Sequence, residues 1–294
     1  MSKISKLGFG IVSFEGNEHL KNIIWEIRDL CDHITVCLQK KSYHGDDISQ
    51  NDVAIVEDLK DKGYVDSIIW FEPTDMHEEE KEVGSIPRMI ETDKRNFILD
   101  YLQNEQGCSH SMIIDSDEFY EHDDFALGKK YIDENEEIKV SYCRYVNYYR
   151  DYEHVMVWPF ECYVPFITEA GYRFDFKNGS FDRPSDPTRR YRIPEKDGKF
   201  SLFGWKFVKM HHLSWIRKDI EKKIDSWSAK KLFKNYDVLR NRILDRYMNY
   251  IDGQNAIIMF NVPENSVPVN KLPKKFIHPK FRLDEEPLDL KKEK

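Results

Sequence analysis

The sequence predicts an α/β fold: a mixed, mainly parallel sheet flanked by helices, then a C-terminal helical segment and an extended tail. Three observations carry this prediction. Short apolar runs alternate with helical periodicity through the first third of the chain, the pattern of a parallel sheet with right-handed crossovers. The run Ser111-Met112-Ile113-Ile114 ends abruptly in Asp115-Ser116-Asp117-Glu118, which places acids at the carboxyl end of a buried strand, where such sheets bind ligands. From Val262 onward the chain holds five prolines and a charged end, a composition that favours an extended, partly disordered tail.

The elements follow in order. Leu7 to Phe14 reads as the first strand, and Leu20, Ile23, Ile24, Ile27 and Leu30 then recur at helical spacing. His33 to Leu38 is a second strand, Val53 to Leu59 has helical periodicity, and Ser67 to Phe71 is a third strand. Residues 75–90 are acidic and contain Gly84 and Pro87, which predicts a surface loop. Glu91 to Gln106 is a helix with Phe97, Ile98, Tyr101 and Leu102 facing inward, and it leads into the strand that ends at Asp115. Lys139 to Tyr149 alternates as a strand rich in Tyr and Val. Val155 to Ile167 is aromatic and apolar around two prolines, and 177–200 is loop-like. Phe200 to Met210 is a strand candidate, and Ile216 to about Tyr250 is mostly helical. The expected organisation is a catalytic domain over 1–215, a basic helical segment over 216–261 and a Pro-rich tail over 262–294.

Composition narrows the class. The chain has 294 residues, 40% hydrophobic and 33% charged, enough for one large α/β domain. No apolar run approaches the ~18–20 residues that span a bilayer. The basic start before Leu7 lacks a cleavage site and reads as the approach to the first strand rather than a signal peptide. Cys31, Cys37, Cys108, Cys143 and Cys162 are scattered, with no Cys-x-x-Cys pair, which points to reduced core cysteines and a cytoplasmic setting. The net charge of −8 hides an asymmetry: residues 1–176 carry 18 Lys and Arg against 37 Asp and Glu, whereas 177–250 carry 19 against 9. A basic segment in an acidic protein suggests a face for an anion such as duplex DNA; the other explanation is a helix face that balances an acidic neighbour.

Five groups of residues could carry chemistry. Asp115 and Asp117, spaced i, i+2, can meet a hard divalent cation and leave room for phosphate oxygens; an isolated Asp-x-Asp is more often a cap or solvated loop. Lys209-Met210-His211-His212 reads as a strand that ends at two histidines, candidates for a metal ligand. Arg217 and Lys218 follow at a helix start, where they could hold phosphate. Ser13, Glu15 and Gln39 close the first two strands and belong beside Asp115 in a parallel sheet, in position for a nucleoside. Arg95, on the helix before the acid-bearing strand, could reach phosphate or orient an acid. The segment Asp182 to Arg190 is a candidate lid or acceptor loop.

Together these residues resemble the GT-A class of glycosyltransferases, in a family-2-like form: a strand ending in Ser-x-Glu, an Arg-Asn helix, a strand ending in Asp-x-Asp, and a later His-x-Ser-Trp with a basic helix behind it. The resemblance spans roughly residues 7–230 and implies metal-dependent transfer from a nucleotide sugar, a UDP-sugar with Mn²⁺ or Mg²⁺. It makes Asp115 and Asp117 the metal and donor acids and His212 the third ligand, with His211 as the alternative. If the anomeric configuration inverts, a carboxylate must deprotonate the acceptor, and Glu161 and Asp186 are the candidates. The Lys/Ile/Asn/Tyr-rich style also resembles proteins of large tailed phages, which implies a hydroxymethylated base in phage DNA as acceptor. A surface saccharide or lipid-linked glycan is the rival acceptor. Two other classes stand beside this reading: a nucleotidyltransferase or nuclease, which needs a further acid cluster, and a non-catalytic binding module for nucleotide or nucleic acid.

Overall fold

The structure is a computed structural model that describes residues 3–42, 45–73, 85–157, 162–179, 183, 185–192, 199–204, 206–226, 235–258 and 266–272. Its core is the parallel half of one large mixed sheet. Strand β1 (Leu7–Ser13) is buried along its whole length and lies between β2 (His33–Gln39) and β4 (His110–Asp115), parallel to both, with β3 (Ser67–Phe71) outside β2. A strand covered on both faces has to be apolar throughout, and Leu-Gly-Phe-Gly-Ile-Val meets that demand. The crossover helices are α1 (Leu20–Ile27), α2 (Gln50–Asp61) and α3 (Ser85–Asp100). Helix α3 comes very close to β1: a Cβ at Gly10 would sit 2.3 Å from Ile98 and 2.6 Å from Ile113. The two glycines of β1 are therefore packing residues that let helix and sheet meet.

The other half of the sheet is mixed. After β5 (Glu118–Phe119) and α4 (His122–Glu134), the long β6 (Ile138–Tyr149) pairs antiparallel with β7 (Asp151–Met156) and β8 (Tyr163–Glu169), and β8 closes onto β4. Strands β9 (Lys199–Phe203) and β10 (Lys209–Trp215) both run parallel to β6, on its first and second halves. Helices α5 (Ile220–Asp225) and α6 (Tyr236–Met248) pack a second cluster of Ile220, Ile224, Leu239, Ile243 and Tyr247 against Tyr149 and Met156. Each fully buried Ile or Leu there contributes about 1.5–3 kcal/mol. Strands β11 (Ala256–Ile257) and β12 (Ser266–Val267) form a separate pair, and β13 (Val269–Lys271) adds to β7.

The mixed α/β architecture expected from the sequence is present, and several element boundaries differ. Helix α3 begins at Ser85, inside the expected loop, because a proline at residue 87 falls in its first turn, where no intrahelical N–H is needed. Phe97 is not buried as expected; it is 39% exposed and leans on Phe71, while Ile98 and Leu102 face the core. The expected strand over 200–210 is two strands. As a result His211 and His212 lie within β10 and not at its end. The long C-terminal helix is two, α5 and α6; residues 227–234 between them lie outside the described set.

Candidate active site

The carboxyl ends of β1, β2 and β4 open into a cleft of about 870 Å³ lined by Glu15, Asn17, Gln39, Asp115, Asp117, Arg217 and Lys223 among others. The parallel register puts these ends together: Val12 pairs with Asp115 and Ser13 with Leu38. At the floor Ser13 donates to Asn17 Oδ1 at 2.8 Å, and the Asn17 backbone donates to Asp52 at 3.1 Å. Gln39 accepts from the buried Lys94 at 2.8 Å. Burial lowers the Lys94 ammonium below its ordinary range, with Cys37 and Glu91 acting in the opposite direction.

The two acids of the Asp-x-Asp have different surroundings. Asp115 accepts from Arg95 at 2.8 and 3.0 Å and from Arg189 at 2.5 Å. Arg189 also donates to Glu118 at 2.7 Å, and Glu118 in turn accepts the Asp115 backbone N–H at 3.0 Å. Burial alone would raise the Asp115 carboxyl, but Arg189 and Arg95 outweigh it and hold it below the usual range. At Glu118 the balance runs the other way, and burial pushes the carboxyl up despite Arg189.

Asp117 is 3% exposed. Its Oδ2 accepts from Arg217 at 2.5 Å and from Lys223 at 3.4 Å, and its Oδ1 lies 3.6 Å from Nε2 of His212. Burial opposes ionisation here too, yet Lys223, Arg217 and His212 hold this carboxyl well below the carboxylate range. Arg217 reaches Asp117 by crossing Gly16, whose carbonyl it also binds at 3.0 Å. Gly16 sits at φ +76°, and a Cβ there would coincide with the Arg217 guanidinium. The turn after β1 therefore needs glycine both for its conformation and for the space.

The adjacent histidines take opposite faces of β10, as strand alternation requires. His211 is 2% exposed, stacks on Phe119 and bonds Tyr148 at 2.7 Å; burial, with Lys209 adding to it, drives its imidazole well below its ordinary value. His212 turns to Asp117, with its Nδ1 2.5 Å from Asn147 Oδ1.

The structure thus brings Glu15, Gln39, Arg95, Asp115, Asp117, Arg217 and Lys218 to the lining of one cleft, and Ser13 and His212 reach it only through Asn17 and Asp117. Glu15 pairs with Lys222 at 3.0 Å, and Lys218 stands exposed on the rim. Asp186 caps the turn that carries Arg189, accepting from Thr188 at 2.8 and 2.9 Å. Glu161 lies outside the described residues. The sequence reading missed Glu118, Asn147 and Lys223, and held Arg189 only as part of the 182–190 loop. A Glu directly after Asp-x-Asp was visible, but partners 71 and 106 residues away left no local signal.

Among the described residues no group of three or more His, Cys, Asp or Glu gathers as a metal cage. Asp117 Oδ1 and His212 Nε2, 3.6 Å apart, are the two donors of a kind that would hold a hard or borderline cation. Eight acids and seven bases line the cleft, so its charges nearly balance.

The sequence matches no described family and no curated protein. Among solved structures the chain is similar to S. aureus TarS, 10% identical over 83% of this chain and 43% of that one, at a TM-score of 0.41. TarS 1–349 in complex with UDP is 11% identical over 83% of this chain and 71% of that chain (TM-score 0.41). Its complex with UDP-GlcNAc is 13% identical over 83% and 72% (TM-score 0.40). The chain spans less than half of the full TarS length. No helix among the described residues is long and apolar enough to cross a membrane.

Proposed function

We propose that this cleft binds a nucleotide sugar, with UDP as the nucleotide, and transfers the sugar to an acceptor hydroxyl. The observation that carries the proposal is Asp117 at the carboxyl edge of a parallel sheet, lining one cleft together with Arg217 and Lys223, with His212 3.6 Å from its other oxygen. That is the place and the donor set for a metal–diphosphate. The GT-A resemblance of the sequence points to the same chemistry.

Asp117 and His212 would hold Mn²⁺ or Mg²⁺, which supplies Lewis-acid stabilisation of a diphosphate leaving group. The chain's own residues do the rest. Arg217 and Lys223 fix the Asp117 carboxylate through Oδ2 and leave Oδ1 toward His212. Lys218 and Lys222 on the rim supply positive charge to phosphate oxygens. Asp115 orients Arg95 and Arg189 and stiffens the wall. Asp186 is the described acid kept as acceptor base for an inverting reaction; one of its oxygens is committed to Thr188.

The basic residues of 177–250 explain part of the charge asymmetry without an outside partner. Arg189, Lys209, Arg217, Lys222 and Lys223 all pair with carboxylates of the first half of the chain. The acceptor is therefore proposed at the level of a hydroxyl. Calorimetric titration of UDP with and without Mn²⁺ tests the donor: metal-dependent heat supports the reading, and no heat in either condition refutes it. Radiolabelled sugar transfer to hydroxymethylated DNA or to a saccharide then separates the two acceptor classes.

A further inference from the structure

Arg217 reaches the cleft from a stretch of chain between two regular elements. Strand β10 ends at Trp215 and α5 begins at Ile220, so the peptide groups between them have neither a sheet partner nor a helical ladder and must be satisfied in other ways. The carbonyl just before Arg217, that of Ile216, lies 2.7 Å from Nε2 of His19. A carbonyl oxygen only accepts, so Nε2 is the donor. His19 is 9% exposed, which keeps this bond away from bulk water.

His19 closes the turn Asn17–His19, which follows Gly16. Gly16 gives its carbonyl to Arg217 Nη1 at 3.0 Å, and Nη2 continues to Asp117. One loop therefore grips Arg217 at both ends: His19 at the peptide where the residue begins, Gly16 at the guanidinium. Between them Glu18 accepts the Lys218 backbone N–H at 3.2 Å. The Arg217 side chain is 6% exposed, and its Nε has no hydrogen-bond partner among the described residues. The direction of the guanidinium is thus set by its two Nη contacts and by the place where the side chain leaves the backbone.

We infer that His19 is a positioning residue for the donor site, whose Nε2–H holds the Ile216 carbonyl and so aims Arg217 at Asp117. The inference rests on the reading of the cleft as a nucleotide-sugar site in which Arg217 serves the donor. His19 acts from behind the cleft lining, through Arg217. An imidazole that only fills space could be replaced by any ring of its size; one that positions Arg217 needs its N–H.

The test separates the ring from the N–H. His19→Phe keeps a ring and removes the donor, whereas His19→Gln gives up the ring and keeps an N–H at a similar reach. In protein labelled with ¹⁵N-arginine, a guanidinium held at both Nη atoms gives separate Nη–H signals, and Arg217→Lys assigns them. The expected result is separate Arg217 signals in the native protein and in His19→Gln, and averaged signals in His19→Phe. UDP affinity, read by calorimetry with Mn²⁺ present, falls about 5–10-fold in His19→Phe, the effect of losing one hydrogen bond, and recovers in His19→Gln. Averaged Arg217 signals in the native protein overturn the inference. Unchanged signals or unchanged UDP affinity in His19→Phe also overturn it, and so do equal losses in the two variants, which would make the ring the determinant. Circular dichroism checks that His19→Phe folds. If it does not, the native protein decides through the His19 Nε2–H: slow exchange with solvent supports the bond to Ile216, and free exchange refutes it. Native protein that binds no UDP, while the Arg217 signals follow the variants as stated, refutes the donor reading and leaves His19 as the residue that positions Arg217.

Discussion

Arg189 Nη1 donates to Glu118 Oε2 across 2.7 Å, with the two side chains 6% and 2% exposed. This pair ties the short turn at Pro187–Arg189 to the strand pair β5–β10 and, through Asp115, to the end of β4. Burying Arg189 and Glu118 beside the half-buried Asp115 is tolerated because each has a partner. Removing one partner leaves a buried charge without compensation, which costs about 3–5 kcal/mol. Arg189→Ala is therefore expected to lower the unfolding free energy by about that much in urea titration. A loss within ~0.5 kcal/mol would mean that the pair is solvated in solution.

A second effect on stability comes from His110 on β4, which is 2% exposed. Burial, with Lys3 adding to it, lowers its imidazole to about 4. The folded state therefore keeps His110 neutral below the ~6.5 at which the unfolded chain takes up a proton. The stabilisation from a neutral His110 is present above pH ~6.5 and is lost as pH falls toward 4, by about 2–3 kcal/mol in all. Urea titrations at several pH values should show this decline, and His110→Leu should flatten it over that window. An equal slope in the variant would assign the decline to other groups.

The parallel core was legible because its determinants are local. The apolar runs of β1, β2 and β4 and the acids after Ile114 stand as uninterrupted stretches. The helix start at Ser85 was hidden because a proline reads as a breaker until its place in the first turn is known. The histidine pair was read at a strand end because the strand candidate began too early; the break between Phe203 and Lys209 moved both residues to mid-strand. The acids of the site could be found from their spacing. Of their cationic partners Arg95 and Arg217 stood beside motifs and could be named, whereas Arg189 and Lys223 reach the acids only through the packing of distant elements.

Gly16 makes a prediction of its own. Its φ of +76° disfavours any residue with a Cβ, and the space a Cβ would need holds the Arg217 guanidinium. Left-handed backbone at a non-glycine residue costs roughly 1–2 kcal/mol. The larger effect of Gly16→Ala should be functional, since Arg217 must leave both the Gly16 carbonyl and Asp117. We expect a modest fall in thermal midpoint together with a clear loss of UDP binding in calorimetry. Retained UDP affinity would show that Arg217 is not needed for donor binding.

The two acids of the Asp-x-Asp should differ on substitution, because they are held differently. Asp115 is committed to two guanidinium groups, and Asp117 keeps one oxygen toward His212. Asp115→Asn preserves shape and removes the charge opposite Arg95 and Arg189. Its main effect should be on stability, at about 1–3 kcal/mol, with Mn²⁺ binding largely kept. Asp117→Asn removes the anionic oxygen that faces Nε2, and an amide oxygen is a far weaker partner for a hard cation. That variant should fold and lose Mn²⁺-dependent UDP binding, while His212→Ala should weaken the metal titration without abolishing it. Parallel measurement of urea unfolding and Mn²⁺ titration on the three variants decides the matter. If Asp115→Asn abolishes metal binding and Asp117→Asn spares it, the ligand assignment moves to Asp115, and Arg95 and Arg189 must then release it when the cation binds.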